Sequence, residues 1–453
     1  MNKLITLILV LSHIACFPQS APSVEFTMIP GWAGSGQLQG IVHHTTPAGH
    51  GVAVYIFLEE AGGWWNKPYA SATVTAIQPD SLFNATIAIA PTDPFATKII
   101  AFLIPLTYSP PVISGGELPS ALFSFPYTVT CRPHGSRILS WSGLDWVVKR
   151  SIGNPLIAMG PGPNIFNDHD SMVWVDGQQR LHLRVARSGN NWHCSELICR
   201  SSLGYNRYRF DLAGRVDQLD PNIIAGIFTW DDCAPLSIPA DNNYREMDLE
   251  FSRWGTAGNA NAQFVVQPWD AAGHIKRFNM DLTGIGHSEH LFDWRPDSIL
   301  FKSSWGSDSC SWSYKQQGQI PLPGNENVRI NLYLYQGLAP ANQFDGELIL
   351  NSFVSGTCEI RNTGGRVSIF PNPVEEGCTI DYFSDHSGDL EIVIMNLQGL
   401  PLARICSGAM AAGKNRFAWD GNSGNGRALP PGMYLLSCRD QAVTRYFKVV
   451  KCK

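Results

Sequence analysis

The chain has 453 residues, of which 16% are charged, and its formal net charge is -5. This charge balance offers no basic surface for nucleic acid or for an anionic membrane, so we expect neither as a partner. The length exceeds what one hydrophobic core usually serves and predicts about three domains. Because the chain has 42 glycines, 30 prolines and few long helical patterns, we predict an all-β protein.

The first segment, residues 1–21, is predicted to be a secretory signal peptide. Met1–Lys3 supplies a positive start and Leu4–Leu11 an apolar core that is too short to span a membrane. Cys16 raises the alternative of a lipoprotein, but His13 stands where an apolar residue is usual. No other apolar stretch approaches the length of a membrane span, so we expect a soluble, exported chain.

Residues 22–128 are predicted to form an N-terminal β-sandwich that could bind carbohydrate. Apolar runs such as Gly51–Phe57 and Lys98–Ile104 are separated by Pro, Gly and Asp turns. Trp64 and Trp65 lie beside turn residues, and exposed tryptophans stack well on sugar rings. Tryptophans that are buried beneath a loop are an equally ordinary interpretation.

Residues 129–362 contain many short strand patterns without a helical period, which predicts two stacked antiparallel sheets. In one of these strands, Glu246, Asp248 and Glu250 alternate with apolar residues, so all three acids should share one face. The Cα atoms of the two glutamates would be about 13 Å apart. Side chains that lean together could still reach the ~5 Å carboxyl separation of a retaining glycosidase. A half-solvated strand with its acids facing water is the alternative.

The other residues on that predicted face favour a catalytic site. The alternation extends to Tyr244, Ser252 and Trp254 and includes no Lys or Arg. Three adjacent carboxyl groups cannot all ionise readily, so the pKa of at least one should be raised. A carboxyl group that is protonated near neutral pH can serve as a general acid.

Five stretches of this segment follow one another in a recognisable order. They are Cys194–Glu196 leading to Gly204, Tyr205 and Tyr208; Ala225–Trp230; Glu246–Phe251; His290–Ile299; and Arg329–Tyr333. Together they resemble glycoside hydrolase family 16, in the lichenase-like branch with an unbulged Glu-x-Asp-x-Glu strand. The resemblance implies a central β-jelly roll, a concanavalin-like sandwich, with an open cleft for a polysaccharide chain.

The same resemblance implies a retaining, endo-acting glycoside hydrolase that cleaves a β-linked polysaccharide by double displacement. Glu246 would be the nucleophile, Glu250 the acid/base and Asp248 a partner that tunes the nucleophile. The implied substrate contacts are Glu196, Trp230, Tyr244, Asn331 and Tyr333. No cofactor and no catalytic metal are expected, although a structural calcium ion would be compatible with the fold.

Departures from the family pattern leave the substrate open. Tyr244 and Tyr333 stand where lichenases usually carry Trp, and Ala262–Gln267 is less polar than its counterpart. β-Glucan is favoured, but the family also acts on laminarin, xyloglucan, agar and carrageenan. A catalytically inactive surface protein that binds glycans or mediates adhesion is the alternative function.

The cysteines beyond Cys16 are distributed unevenly: none in residues 22–130, six in 131–358 and four in 366–453. Even counts in an exported protein predict disulfides within each of the last two segments. Cys131 with Cys358 is the first pairing we expect, because the ends of a jelly roll commonly lie close together. His193, Cys194 and Cys199 could suggest a metal site, but no second Cys/His pair has zinc spacing.

Residues 363–453 carry a third pattern. It consists of Phe370–Pro373, the strand Leu390–Met395, Trp419–Gly421, Pro430–Tyr434 and the terminal strand Tyr446–Lys451. This pattern resembles the type A sorting domain of the type IX secretion system of Bacteroidetes, which is immunoglobulin-like. The implied partner is that secretion machinery, and the implied location is the cell surface or the medium, reached through the periplasm and outer membrane. A generic immunoglobulin-like sandwich without a sorting role is the alternative.

Overall fold

The computed structural model describes residues 21–59, 61–68, 70–153, 155–237, 244–316, 318–356, 366–370, 374–384, 386–396, 400–440 and 443–451. These residues form strands almost throughout, and helix is limited to short turns such as Ala234–Ser237. The all-β prediction is therefore confirmed. None of the helices in these ranges is long and apolar enough to cross a membrane. The predicted signal peptide, apart from residue 21, lies outside the described residues.

The first of two compact units ends at Arg132. It contains a three-stranded and a five-stranded antiparallel sheet. The strands are β1 Ser23–Met28, β2 Leu38–His43, β3 His50–Leu58, β4 Gly63–Lys67, β5 Thr75–Ala76, β6 Leu82–Ala85, β7 Lys98–Pro105 and β8 Tyr127–Cys131. Strands β3 and β7 are nearly continuous runs of buried residues, as expected for strands packed on both faces.

The tryptophan pair of this unit is not an exposed sugar platform. Trp64 is 2% exposed and meets the ring of Phe57 edge-on at 5.3 Å. Trp65 is half-buried and packs against the core. The interpretation of Trp64 as an exposed stacking surface is wrong, because its ring is buried against Phe57.

The second unit begins at Pro133 and contains two large antiparallel sheets of jelly-roll type. One, the β17 sheet, has the spatial order β19 Ile275–Phe278, β18 Ala262–Val266, β17 Met247–Phe251, β16 Ile223–Trp230, β23 Asn327–Leu334, β14 Ser195–Cys199, β10 Leu144–Val148, β9 Ile138–Trp141. The other, the β20 sheet, has the order β11 Val173–Val175, β12 Leu181–Ser188, β24 Gly346–Gly356, β15 Arg207–Ala213, β20 His287–Trp294, β21 Ile299–Trp305, β22 Asp308–Tyr314, with β13 Asn191–His193 beside β12.

The inner faces of these two sheets share one apolar core. Met247, Leu249 and Phe251 point from β17 into it and are fully buried. Burying side chains of this size contributes about 1.5–3 kcal/mol each. Because strand side chains alternate, this burial fixes the acids between them on the opposite face.

The C-terminal part of this unit has a separate core and two smaller antiparallel sheets. Its strands are β25 Arg366–Phe370, β26 Cys378–Ser384, β27 Gly388–Met395, β28 Pro401–Met410, β29 Gly413–Trp419, β30 Gly432–Asp440 and β31 Val443–Lys451. The order β25-β26-β29 faces the order β28-β27-β30-β31 around buried Tyr382 and Trp419. The expected immunoglobulin-like fold is confirmed here.

The cysteine prediction is only partly correct. Cys131 and Cys233 each take part in a disulfide bond. Cys194, Cys310, Cys378 and Cys406 carry free thiols, so the even counts do not translate into complete pairing. The Sγ of Cys194 instead donates to Asn164 Oδ1 at 3.3 Å, and burial raises the pKa of this thiol to about 12. The predicted partner Cys358 lies outside the described residues.

Candidate active site

The acid strand begins later than the sequence predicted. β17 starts at Met247, and Tyr244 and Arg245 both have left-handed backbone with φ of 59° and 56°. The backbone oxygen of Glu246 accepts from Gln267 N at 3.2 Å, which keeps Glu246 in register with β18. Glu246, Asp248 and Glu250 therefore share one face, as predicted, whereas the alternation does not extend back to Tyr244.

The alternation also stops at the other end of the strand. Ser252 is buried, and its hydroxyl donates to the backbone oxygen of Ile223 at 2.8 Å. Trp254 has a φ of 44° and lies beyond the strand. Ser252 N still donates to Asn261 O at 3.1 Å, which continues the pairing with β18 by one residue, so only the placement of Trp254 on the acid face was wrong.

One row of polar positions crosses the β17 sheet through Glu250. In register, Glu250 lies opposite Gln263 on β18 and Gly226 on β16. The row continues through Asn331 on β23 to Glu196 on β14. A side chain at Gly226 would clash, because a Cβ there would lie 2.5 Å from Asn331 Oδ1. The row thus brings together three of the residues that the sequence selected, Glu196, Glu250 and Asn331.

The carboxyl group of Glu250 is bound by the side-chain amide of Gln263, which Arg277 orients in turn. Arg277 Nε donates to Gln263 Oε1 at 3.2 Å, and Gln263 Nε2 donates to Glu250 Oε2. Since a guanidinium only donates, Arg277 fixes which end of the Gln263 amide faces the acid. Burial raises the pKa of Glu250, while the bond from Gln263 and the charge of Arg277 oppose that rise. A protonated Glu250 would then carry its proton on Oε1, the oxygen that Gln263 leaves free.

Asp248 and Glu246 form a hydrogen-bonded pair of acids. Burial, followed by repulsion from Glu246 and Glu250, raises the pKa of Asp248 well above its usual value. Burial and the charge of Glu250 also raise the pKa of Glu246, but the bond to Asp248 and the charge of Arg329 oppose this. Because the bond lowers the pKa of Glu246 and raises that of Asp248, Asp248 is the donor. This bond keeps a proton on Asp248 and offsets part of the rise in the pKa of Glu246, which burial and the charge of Glu250 still raise to about 8.

A buried ion network lies beside the acids. Glu196 accepts from Lys149 Nζ at 3.0 Å and lies 3.5 Å from a terminal nitrogen of Arg329. Another terminal nitrogen of Arg329 lies 2.5 Å from Asp232 Oδ2. Glu196 is 0% exposed, and Asn331 is also buried, with its Oδ1 accepting from Gly226 N at 3.1 Å. In this arrangement these two predicted substrate contacts bind protein groups.

The remaining predicted contacts are aromatic and more accessible. The rings of Trp230 and Tyr244 stack at 4.1 Å with an interplanar angle of 8°, and Tyr244 is 37% exposed. Tyr333 is half-buried on β23. Burial and the charges of Glu250, Asp248, Glu246 and Glu196 hold the pKa of Tyr333 well above its usual value. Tyr333 therefore lies within electrostatic reach of all four acids.

Sequence reasoning missed the anchor of the turn before Glu246. Arg245 Nε donates to Leu322 O at 2.6 Å, and its Nη1 lies 2.5 Å from buried Asp231 Oδ2. The hydroxyl of Thr229 donates to Arg245 O at 2.7 Å. Left-handed backbone at a non-glycine residue costs on the order of 1–3 kcal/mol, so these bonds hold the turn in place. The adjacent aspartates Asp231 and Asp232 were the available signal, since paired acids at a strand end often anchor cations.

No group of three or more His, Cys, Asp or Glu side chains within the described ranges is arranged to hold a metal ion. The three carboxyl groups on one face offer acid–base and nucleophilic chemistry. Double displacement at a sugar carbon requires one protonated and one ionised carboxyl group, and Glu246 and Glu250 place two carboxyl groups with raised pKa on one face.

Comparisons with known proteins give partial likenesses. Residues 375–441 match the family model of the FlgD Ig-like domain. No curated protein matches the chain. Among solved structures, the fold is similar to a pseudo β-1,3-glucanase and immunostimulatory antigen of Mycobacterium tuberculosis, with 18% identity over 46% of this chain and 89% of that one and a TM-score of 0.35.

Two further solved structures are similar to a comparable degree. One is a family 16 glycoside hydrolase of Bacteroides ovatus from a mixed-linkage glucan utilisation locus, with 11% identity over 47% of this chain and 94% of that one and a TM-score of 0.35. The other is a laminarinase from Flavobacterium sp. UMI-01, with 10% identity over 46% of this chain and 91% of that one and a TM-score of 0.36. At these scores the likenesses do not identify an activity for this chain.

Proposed function

We propose that the chain is a retaining, endo-acting glycoside hydrolase that cleaves a β-linked polysaccharide, with β-glucan the favoured class. The observation that carries the proposal is the acid trio of β17. Asp248 donates to Glu246 on the same face as Glu250, which has a raised pKa. The sequence resemblance to the lichenase-like branch of family 16 supports the choice of substrate class.

In the proposed first step, the ionised carboxylate of Glu246 attacks the anomeric carbon of the sugar. The bond from that carbon to the leaving oxygen breaks as Glu250 transfers its proton to the oxygen. In the second step, Glu250 takes a proton from water as the water oxygen attacks the same carbon. The bond between that carbon and Glu246 breaks as the new bond forms, which regenerates both carboxyl groups and retains the anomeric configuration.

Asp248 would assist by donating its proton to Glu246 in a hydrogen bond without losing it. That bond stabilises the ionised nucleophile before attack and weakens as Glu246 becomes an ester. Asp248→Asn keeps a donor at this position, so we expect reduced but measurable activity. Glu246→Gln and Glu250→Gln remove a reacting group, so each should abolish turnover.

The test is a reducing-sugar assay over a panel of mixed-linkage β-glucan, laminarin, xyloglucan, agar and carrageenan. Release of reducing ends from at least one β-glucan by the native chain, and none by the two glutamine variants, supports the proposal. Glu289→Gln is the matched control, because Glu289 is an exposed acid on the β20 sheet. Binding without release of reducing ends by the native chain would favour the alternative, a glycan-binding or adhesion protein without turnover.

We propose further that the chain is exported and that residues 363–453 serve as its sorting domain for type IX secretion. The support is the sequence resemblance of this segment together with the apolar N-terminal stretch. Fractionating cells that express the full chain or a chain ending at Gly364 tests this proposal. The full chain should reach the surface or medium and the shortened chain should remain in the periplasm. Equal surface delivery of both would contradict the sorting role.

A further inference from the structure

Asp232 binds two side chains of the candidate site, one through each carboxylate oxygen. It is the second residue after β16, and its side chain is 21% exposed. Oδ1 accepts from the indole Nε1 of Trp230 at 2.8 Å. Oδ2 lies 2.5 Å from a terminal nitrogen of Arg329. Both oxygens of one carboxylate are therefore used in fixing neighbouring side chains.

The contact of Asp232 with Trp230 connects it to accessible aromatic side chains. Trp230 stacks face to face on Tyr244 at 4.1 Å, and both rings retain exposed surface. Tyr244 O accepts from Asp231 N at 2.8 Å, so the second ring is tied to the same strand end. An aromatic pair in a fixed orientation presents a flat apolar face, which is the shape that the face of a pyranose ring complements.

The contact of Asp232 with Arg329 connects it to the acid trio. Arg329 on β23 is in register with Phe228 on β16, and Phe228 is in register with Asp248 on β17. Arg329 thus lies two strands from Asp248 in one row, and its charge reaches Glu246. Its other terminal nitrogen binds Glu196, which is buried, so Arg329 has little freedom to move.

We propose that Asp232 is a positioning residue that locks Trp230 as a rigid stacking platform for a sugar ring and holds Arg329 beside the acid trio. The inference deepens the proposed function and rests on it. Asp231, although adjacent, serves a different purpose, because its carboxylate binds Arg245, Cys233 N and Asn325 N.

The role of the Asp232–Trp230 contact in binding is tested by a double-mutant cycle on the two residues. Trp230→Phe keeps an aromatic ring but removes the donor, and Asp232→Ala removes the acceptor. Binding of mixed-linkage β-glucan and laminarin is measured by affinity electrophoresis in the Glu250→Gln background, where turnover does not interfere. We expect each single variant to weaken binding roughly tenfold, and the double variant to weaken it little beyond either one. Trp174→Phe, on β11 of the β20 sheet, is the control and should leave binding unchanged.

The role of the Asp232–Arg329 contact is tested in the active enzyme by the pH dependence of kcat/KM. Asp232→Ala frees Arg329, so the acidic limb should shift, whereas Trp230→Phe leaves the Asp232–Arg329 pair intact and should leave that limb in place. A residue that acts only on folding would lower Tm without moving the limb or the binding constant selectively.

The outcomes separate the inference from the proposed function. Additive losses in the cycle, or identical pH profiles for both single variants, would overturn the inference while hydrolysis stands. If the cycle shows coupled losses of binding but the native chain releases no reducing ends, the hydrolase proposal is overturned and the stacking platform stands. Failure to bind either glucan would overturn both.

Discussion

Replacing Gln263 by Met tests how the fold sets the protonation of the proposed general acid. Gln263 is 6% exposed, donates to Glu250 Oε2 and is oriented by Arg277. Methionine has a similar length but offers no amide donor, so the substitution removes this bond with little change in volume. The expected result is a selective effect on the charge state of Glu250.

The magnitude follows from the bond that is lost. A hydrogen bond to a charged group contributes about 1.5–3 kcal/mol, and about 1.4 kcal/mol corresponds to one pKa unit. The pKa of Glu250 is already raised by burial, and the Gln263 bond opposes that rise. Removing the bond should therefore raise the pKa further, by roughly 1–2 units.

The assay is kcat/KM for the active polysaccharide as a function of pH. Glu250 must be protonated to donate to the leaving oxygen, so the alkaline limb reports its pKa in the free enzyme. In Gln263→Met this limb should move to higher pH. Gln267→Met is the matched control, because Gln267 donates to Asp248 at 3.1 Å and not to Glu250. An alkaline limb that stays in place or moves to lower pH in Gln263→Met would refute the assignment of Glu250 as the acid.

Three further predictions concern stability, thiols and the C-terminal segment. The folded-state pKa of Glu246 is raised from 4.5 to about 8, so its contribution to stability is fully present below pH 4.5 and is lost as the pH rises towards 8. Thermal unfolding as a function of pH should show this loss in the native chain and less of it in Glu246→Gln. Equal pH slopes of Tm in the two chains would contradict the raised pKa. Alkylation under non-reducing conditions should label Cys310 in the folded chain and buried Cys194 only after denaturation, whereas Cys131 and Cys233 should need reduction; a Cys194 that requires reduction would contradict its free state. A chain ending at Gly364 should retain its full rate of hydrolysis, since the acid trio and its neighbouring strands lie upstream, and a large loss of rate would show that the C-terminal segment supports the jelly roll.

The sequence predicted the acid face because its signal is local. Met247, Leu249 and Phe251 are apolar at every second position, and their burial leaves Glu246, Asp248 and Glu250 no other side to occupy. The all-β class followed from the density of short strands and turns in the same way. The ends of β17 could not be predicted, since left-handed backbone at Tyr244 and Arg245 depends on Asp231, Thr229 and Leu322 O rather than on the residues themselves.

Contacts between distant strands were the part that the sequence could not provide. Glu196 was expected to face substrate, yet Lys149 and Arg329 contact it from positions 47 and 133 residues away along the chain. The role of Asp232 depends on Arg329, 97 residues away, and had no motif to mark it. Cysteine counts likewise carry no distances, so they could not show that Cys194 faces Asn164.

The central claim is double displacement through Glu246 and Glu250, and the anomeric configuration of the first product tests it most directly. Time-resolved proton NMR of the active polysaccharide during hydrolysis resolves the anomeric signals before mutarotation mixes them. The account predicts that the β-anomer accumulates first from a β-linked chain, because two successive displacements restore the configuration. Initial appearance of the α-anomer would show a single displacement by water and would contradict the nucleophilic role of Glu246.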